Sequence, residues 1–254
     1  MKQVKLNINN FPREMRDMLK DAKVYDASCS SNAQTLYIDS GYYLKIDEKE
    51  ELKREAELTR CFHEMGLGVE VVLYISTDKD YLLTKSAGGA DATHWLENPK
   101  KLCEVMAEAL KFLHAQDVSD GDISLRYERY IESASDFGQG YYDESVLLDR
   151  FRISSKEEAW NIMQANKDKL KCDCLIHGDY CLPNIILDKG EFSTFIDLGL
   201  AGLGDKHMDL YWAIWSLEYN LKTDIYTDYF LDLYGRENFD YEMLKVVAAF
   251  EAFG

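Results

Sequence analysis

The sequence predicts an α+β chain of two lobes: a small N-terminal antiparallel β-sheet lobe with one crossing helix, and a larger, mainly helical C-terminal lobe. Three observations predict it. Short β-prone runs separated by turn clusters crowd residues 24–84, one charge-rich stretch with helical periodicity (48–65) interrupts them, and from residue 98 apolar residues recur at helical spacing. The expected boundaries are 1–84 for the first lobe, 85–90 for a hinge and 91–254 for the second lobe.

Residues 11–20 place Phe11, Met15, Met18 and Leu19 at helical spacing, with Pro12 suited to a first turn, so a short helix leads. Residues 24–25, 35–39 and 42–47 read as strands of a meander, the last two joined by Asp39-Ser40-Gly41. Residues 48–65 carry Leu52, Ala56, Leu58 and Phe62 on one face and stop at Gly66 and Gly68. Strands at 69–75 and 81–84 flank a polar turn, for a total of five strands and one crossing helix. The small, flexible run Lys85-Ser86-Ala87-Gly88-Gly89-Ala90 suits a hinge. Beyond it Asn98 can cap and Pro99 can open a helix that repeats Leu102, Val105, Met106, Ala109, Leu110 and Leu113 up to His114. Acidic patches at 117–122 and 136–149 flank a segment of weak pattern; helices are expected at 157–170, 208–219, 223–233 and 241–253, and short strands within 175–205.

The 29 Lys and Arg stand against 46 Asp and Glu, a net charge of -17, which argues against a binder of nucleic-acid backbone and favours a cationic ligand or plain solubility. No apolar run approaches the roughly 18 residues of a membrane span, and the opening MKQVKLNINNFPREM lacks the apolar core of a secretory signal; a cytoplasmic protein without membrane contact is expected. The six cysteines form no CxxC pair, so neither zinc nor a disulfide framework is signalled.

The chemistry concentrates in His177-Gly178-Asp179-Tyr180-Cys181-Leu182-Pro183-Asn184, an H-G-D-x-x-x-x-N, followed after thirteen residues by Asp197 in Ile196-Asp197-Leu198-Gly199. Kinase catalytic loops use this order, because one carboxylate must meet the acceptor hydroxyl while an amide and a second carboxylate hold Mg2+. Asp179 is then the candidate base, and Asn184 and Asp197 the candidate metal ligands. Upstream, Lys45 sits in an apolar strand where its cation can reach phosphate oxygens, and Glu55 on the next helix is its expected partner, in competition with Glu51 and Glu57. Neither a Walker motif nor a G-x-G-x-x-G occurs. Residues 28–33, Ser31 among them, offer small groups that could approach phosphate or merely form a polar turn. His177 is expected to pack rather than react, and Tyr211 to Trp215 to serve as helix core.

On Tyr43-Leu44-Lys45, Arg54-Glu55, Phe112-Leu113-His114, HGDYCLPN and FIDLG, the chain resembles the aminoglycoside phosphotransferases, chiefly their 3′ branch, within the protein-kinase-like fold. The resemblance implies Asp179 as catalytic Asp, Asn184 and Asp197 as Mg2+ ligands, Lys45 as the phosphate-binding Lys paired with Glu55, and Tyr43 as an adenine-stacking ring. It places the base of ATP, or of GTP, along hinge backbone near Lys85 to Ala87, with Thr84 at the gatekeeper position. Two positions depart from the branch: Leu200 stands where Arg usually follows D-x-G, and only Glu251 keeps a carboxylate in the final segment. Asp143, Glu144, Asp149, Glu218 and Glu251 remain as carboxylates for a cationic acceptor, expected at partly exposed positions. The implied enzyme is a Mg2+-dependent small-molecule O-kinase, a monomer or weak dimer. The alternatives are the same chemistry on another hydroxyl acceptor, such as a macrolide, a choline-like amine or a metabolite, and a nucleotide-binding pseudokinase.

Overall fold

The structure is a computed structural model and describes residues 1–28, 33–117 and 141–253. The chain divides into two units, Met1–Gly88 with Thr194–Gly199, and Gly89–Ser193 with Leu200–Gly254.

In the first unit β1 (Lys2–Val4), β2 (Val24–Asp26), β3 (Gln34–Ile38), β4 (Tyr42–Glu48), β5 (Val71–Ser76) and β6 (Lys79–Lys85) form one sheet in the order β1-β2-β3-β4-β6-β5. All neighbours are antiparallel. The sheet has six strands where five were expected. The extra one, β1, is a three-residue edge strand whose Lys2 and Gln3 are exposed, so it carries no apolar alternation to read. Gly41, at φ 92, closes the β3–β4 hairpin and its N–H donates to the Ile38 carbonyl at 2.9 Å.

Leu36, Ile38, Leu44 and Ile46 alternate onto the buried face of β3 and β4, and there meet Phe11, Met15 and Leu19 at the short helix α1 (Arg13–Leu19). Helix α2 (Lys53–Glu64) lies against β5, with Leu52 and Ala56 packed on Leu82. It ends where Gly66 takes φ 75 and the Leu67 and Gly68 N–H groups return to the Phe62 carbonyl at 2.8 and 3.0 Å.

The second unit holds β7 (Ala90–Asp91), α3 (Pro99–His114), α4 (Lys156–Asn166), β8 (Cys174–Ile176), β9 (Ile185–Asp188), the start of β10 (Glu191–Phe195), β11 (Gly202–Gly204), α5 (Lys206–Leu221), α6 (Thr227–Tyr234) and α7 (Tyr241–Glu251). Asn98 caps α3 by accepting the Lys101 N–H, with Pro99 in the first turn, and Leu102, Val105, Met106, Ala109, Leu110 and Leu113 are buried. Helix α3 packs on α6, and α4 and α5 pack on α7.

Helix α4 stops at Asn166, short of the expected 170, because Lys167–Lys169 tightens into a 3-10 turn. Helix α6 starts at Thr227 rather than 223: Lys222 ends α5 in a left-handed conformation, φ 56, and the Thr227 N–H closes a turn on Asp224. In α5, Tyr211, Ala213 and Ile214 are buried while Trp212 and Trp215 are half-buried. Residues 118–122 and 136–140 of the acidic patches lie outside the described residues. Among the described residues no helix is long and apolar enough to cross a membrane.

Asp205, buried, caps α5 by accepting the His207 N–H at 3.0 Å, and it also accepts the Lys171 N–H at 2.8 Å. Asp205→Ala removes the cap and leaves a buried donor unmet, so it is expected to cost about 1–3 kcal/mol, read as a lower urea midpoint at unchanged slope.

Candidate active site

Strand β4 alternates, so Leu44 and Ile46 enter the core while Tyr43 and Lys45 share the opposite, half-exposed face. Lys45 Nζ lies 2.7 Å from Glu55 Oε2 and 2.9 Å from Asp197 Oδ1. Of the three candidate glutamates, Glu51 and Glu57 are exposed and Glu55, in the first turn of α2, is buried against the lysine. Burial alone would lower the Lys45 pKa; the two carboxylates outweigh it and hold the ammonium well above its ordinary range. Burial raises the Glu55 carboxyl, Lys45 opposes this, Asp197 adds to it, and the net direction is upward.

Asp197 adopts φ 58, a left-handed conformation that aims its carboxylate at Lys45. The strand before it is tied to the α2 exit: the Phe195 N–H and the Thr194 hydroxyl donate to the Leu67 carbonyl at 2.8 and 3.0 Å. Thr84 sits opposite Tyr43 in the β4–β6 register, and the Tyr43 ring packs on Tyr37 at 5.1 Å. Ala87 follows Ser86, whose N–H donates to the Gly41 carbonyl. Ser31 lies outside the described residues.

The second unit presents the HGD loop at the end of β8. Gly178 adopts φ 81, and a Cβ there would lie 2.0 Å from the Leu200 carbonyl oxygen, so the turn requires glycine. Asp209 of α5, fully buried, accepts the His177 N–H and the Gly178 N–H, each at 2.8 Å, and also meets His114 Nε2 at 3.1 Å. About two turns along the same helix Ser216 Oγ accepts the Leu182 N–H at 2.9 Å. Thus one helix face holds both ends of the loop. The Asp179 N–H donates to Nδ1 of the buried His177 imidazole at 3.2 Å. Asn184 Nδ2 donates to the Asp179 carbonyl at 3.0 Å and to its Oδ2 at 2.8 Å.

Asp209 was not singled out from the sequence. Its signal was an acid inside the apolar run of α5, which must find donors or stay out of the core.

Of the acceptor-side carboxylates, Asp149 is exposed on the short turn Asp149–Phe151, while its neighbour Arg150 meets Glu218 at 3.0 Å. Glu218 also accepts from the Thr227 hydroxyl at 2.7 Å. Glu251 is only 6% exposed, where a partly exposed position was expected, because α7 carries it inward among Val247, Ala248 and Phe250. Burial pushes the Tyr211 phenol well up, and Glu251, Cys181, Glu218 and Asp143 add to it. Burial likewise raises the Cys181 thiol, with Asp179 and Glu251 contributing, which favours its protonated form.

The donor chemistry suits magnesium. Asn184 engages its amide nitrogen with Asp179 and so turns its carbonyl oxygen elsewhere, while Asp197 has a side chain 53% exposed and engages Oδ1 with Lys45. Among the described residues no group of three or more His, Cys, Asp or Glu is placed to cage a metal. Magnesium takes few protein oxygens and completes its shell with water and phosphate.

A meander-and-helix unit carrying a Lys–Glu pair, followed by an H-G-D loop and a D-x-G, defines a phosphotransferase of the kinase-like fold. Comparison with known proteins agrees. A profile of the phosphotransferase enzyme family matches residues 30–246. A protein of Lactococcus lactis named "Probable aminoglycoside 3′-phosphotransferase" is 43% identical over 100% of this chain and 99% of its own length. An aminoglycoside 3′-phosphotransferase of Niallia circulans is 32% identical over 96% of this chain and 97% of its own. Among solved structures, an aminoglycoside phosphotransferase of Streptomyces rimosus in complex with ADP and streptomycin matches with a TM-score of 0.78 at 18% identity, covering 98% of this chain and 99% of its own. The chain belongs to the phosphotransferase enzyme family, among the aminoglycoside phosphotransferases.

Proposed function

We propose that the chain moves the γ-phosphoryl group of ATP, with GTP as the alternative donor, to the 3′-hydroxyl of an aminoglycoside antibiotic, with Mg2+ and in the cytoplasm. The observation that carries this reading is the Lys45 ammonium held between Glu55 and Asp197. The full-length likeness to 3′-phosphotransferases supports the acceptor.

In this reading Lys45 neutralises α- and β-phosphate oxygens, and Glu55 keeps it aimed. The base stacks on Tyr43 and hydrogen-bonds to backbone near Thr84 and Ala87. Asn184 and Asp197 would hold magnesium, which when bound supplies charge neutralisation on the phosphate oxygens. Asp179 accepts the proton of the acceptor hydroxyl as its oxygen bonds to the γ-phosphorus, the bond from that phosphorus to the β–γ bridging oxygen breaks, and ADP leaves. Asp149, which is exposed, attracts an ammonium group of the acceptor, such a pair contributing about 0.5–1 kcal/mol and weakening with salt, while Glu218, engaged by Arg150, and the buried Glu251 add only to the negative field around it.

A nucleotide-consumption assay tests the reading, with ATP and GTP against kanamycin, neomycin and a 3′-deoxy aminoglycoside. Turnover is expected with the first two antibiotics and absent with the third. Equal turnover of the 3′-deoxy compound would move the reaction to another hydroxyl. Silence with all of them, despite nucleotide binding, would overturn the aminoglycoside acceptor. Lys45→Ala is expected to raise KM for the nucleotide by roughly tenfold or more while leaving KM for the antibiotic near its original value, since one charged hydrogen-bonding partner of phosphate is lost.

A further inference from the structure

Helix α2 carries Glu55 in its first turn, yet the residue at its N-cap is Leu52, whose side chain makes no capping hydrogen bond. The acceptor comes from elsewhere in the sheet. Asp80, at the start of β6 and 0% exposed, accepts the Leu52 N–H at 3.0 Å and the Tyr74 hydroxyl at 2.9 Å, both on Oδ2. It is an acid buried in the first unit that none of the steps above uses. Burial works to raise its pKa, but the donors around it outweigh burial and keep it low, so Asp80 stands as a carboxylate at neutral pH. A negative charge at a helix N-terminus also meets the positive end of the helix dipole.

Leu52 is itself buried and packs with Ala56 and Leu82, so the cap and the apolar contact fix the same turn. Glu55 is in that turn, with its Oε2 2.7 Å from Lys45 Nζ. At the other end, the Leu67 carbonyl beyond α2 receives the strand that leads to Asp197. Both carboxylate partners of Lys45 are therefore placed through the two ends of one helix, and a buried carboxylate holds the N-terminal end.

We propose that Asp80 is a positioning residue for phosphate binding: by holding the Leu52 N–H it seats the first turn of α2, so that Glu55 aims the Lys45 ammonium. This rests on the nucleotide-binding part of the function proposed above and not on the identity of the acceptor.

The test is a double-mutant cycle on the full chain, read as the dissociation constant of Mg·ADP by titration and, where turnover occurs, as KM against kcat. Asp80→Ala is expected to weaken Mg·ADP binding about tenfold, and Asp80→Asn, which keeps one acceptor oxygen, about threefold. KM for the acceptor is expected to stay unchanged. In a Glu55→Gln background both Asp80 substitutions are expected to change the Mg·ADP constant by less than about twofold, because the residue being positioned has already lost its charge.

If Asp80→Ala does not fold, Asp80→Asn carries the same cycle. Equal losses with and without Glu55→Gln would overturn the proposal and leave Asp80 as a fold-stabilising cap only. A wild-type chain that binds Mg·ADP but phosphorylates no aminoglycoside defeats the acceptor reading and leaves the Asp80 cycle readable. One that turns over normally but gives an additive cycle defeats the Asp80 proposal alone.

Discussion

Asp179→Asn is expected to lower kcat by about 10²–10⁴-fold, the usual contribution of a positioned general base, with little change in unfolding midpoint or in Mg·ADP affinity. The substitution keeps the shape of the side chain, and an amide oxygen can still accept from Asn184 Nδ2, which lies 2.8 Å from Asp179 Oδ2. What is lost is the basicity that takes the acceptor's proton. The backbone of the loop is held by partners that the substitution leaves in place: Asp209 on His177 and Gly178, His177 on the Asp179 N–H, and Ser216 on Leu182. Steady-state kinetics beside urea denaturation check it. A kcat within a few-fold of wild type would remove Asp179 from the chemistry.

Asp209→Ala has the largest expected effect on stability. It strips the His177 and Gly178 N–H groups of their acceptor in a site where Asp209 is 0% exposed, and it takes away the Nε2 partner of His114, whose Nδ1 keeps the Tyr234 hydroxyl. Each unmet buried donor costs about 1–3 kcal/mol, and the cavity adds to it, so a loss of about 3–5 kcal/mol is expected. The effect on turnover should follow, because Gly178 at φ 81 already abuts the Leu200 carbonyl and a slack loop would no longer fix Asp179. Asp209→Asn keeps one acceptor oxygen and should fall between wild type and alanine. Urea denaturation, together with kcat per folded molecule, checks both variants. An alanine variant as stable as wild type would show that the loop finds other partners.

The parts legible from the sequence were those in which local chemistry and tertiary context agree. Asp39-Ser40-Gly41 announced a hairpin because the left-handed turn at Gly41 is needed whatever surrounds it. Asn98-Pro99 announced α3 for the same kind of reason. The pairing of Lys45 with Glu55 was readable from a lone lysine in an apolar strand, although Glu51 and Glu57 could be set aside only once the helix face was known.

What escaped was set by distant partners. Strand β1 owes its place to pairing with β2, not to any alternation of its own three residues. The role of Asp209 depends on N–H groups more than thirty residues upstream, and that of Asp80 on a helix 28 residues before it. The burial of Glu251 follows from the packing of α7 on α4 and α5, which no local pattern records.

Phosphorylation of an aminoglycoside through Asp179 leaves a product that can be weighed. The most direct measurement is a mass spectrum of kanamycin after incubation with the protein, ATP and Mg2+, taken for wild type and for Asp179→Asn. Antibiotic heavier by one phosphoryl group is expected with wild type, and unmodified antibiotic with the variant over the same time. Unmodified kanamycin from a wild-type protein that binds nucleotide, or equal modification by both proteins, would contradict phosphorylation through Asp179.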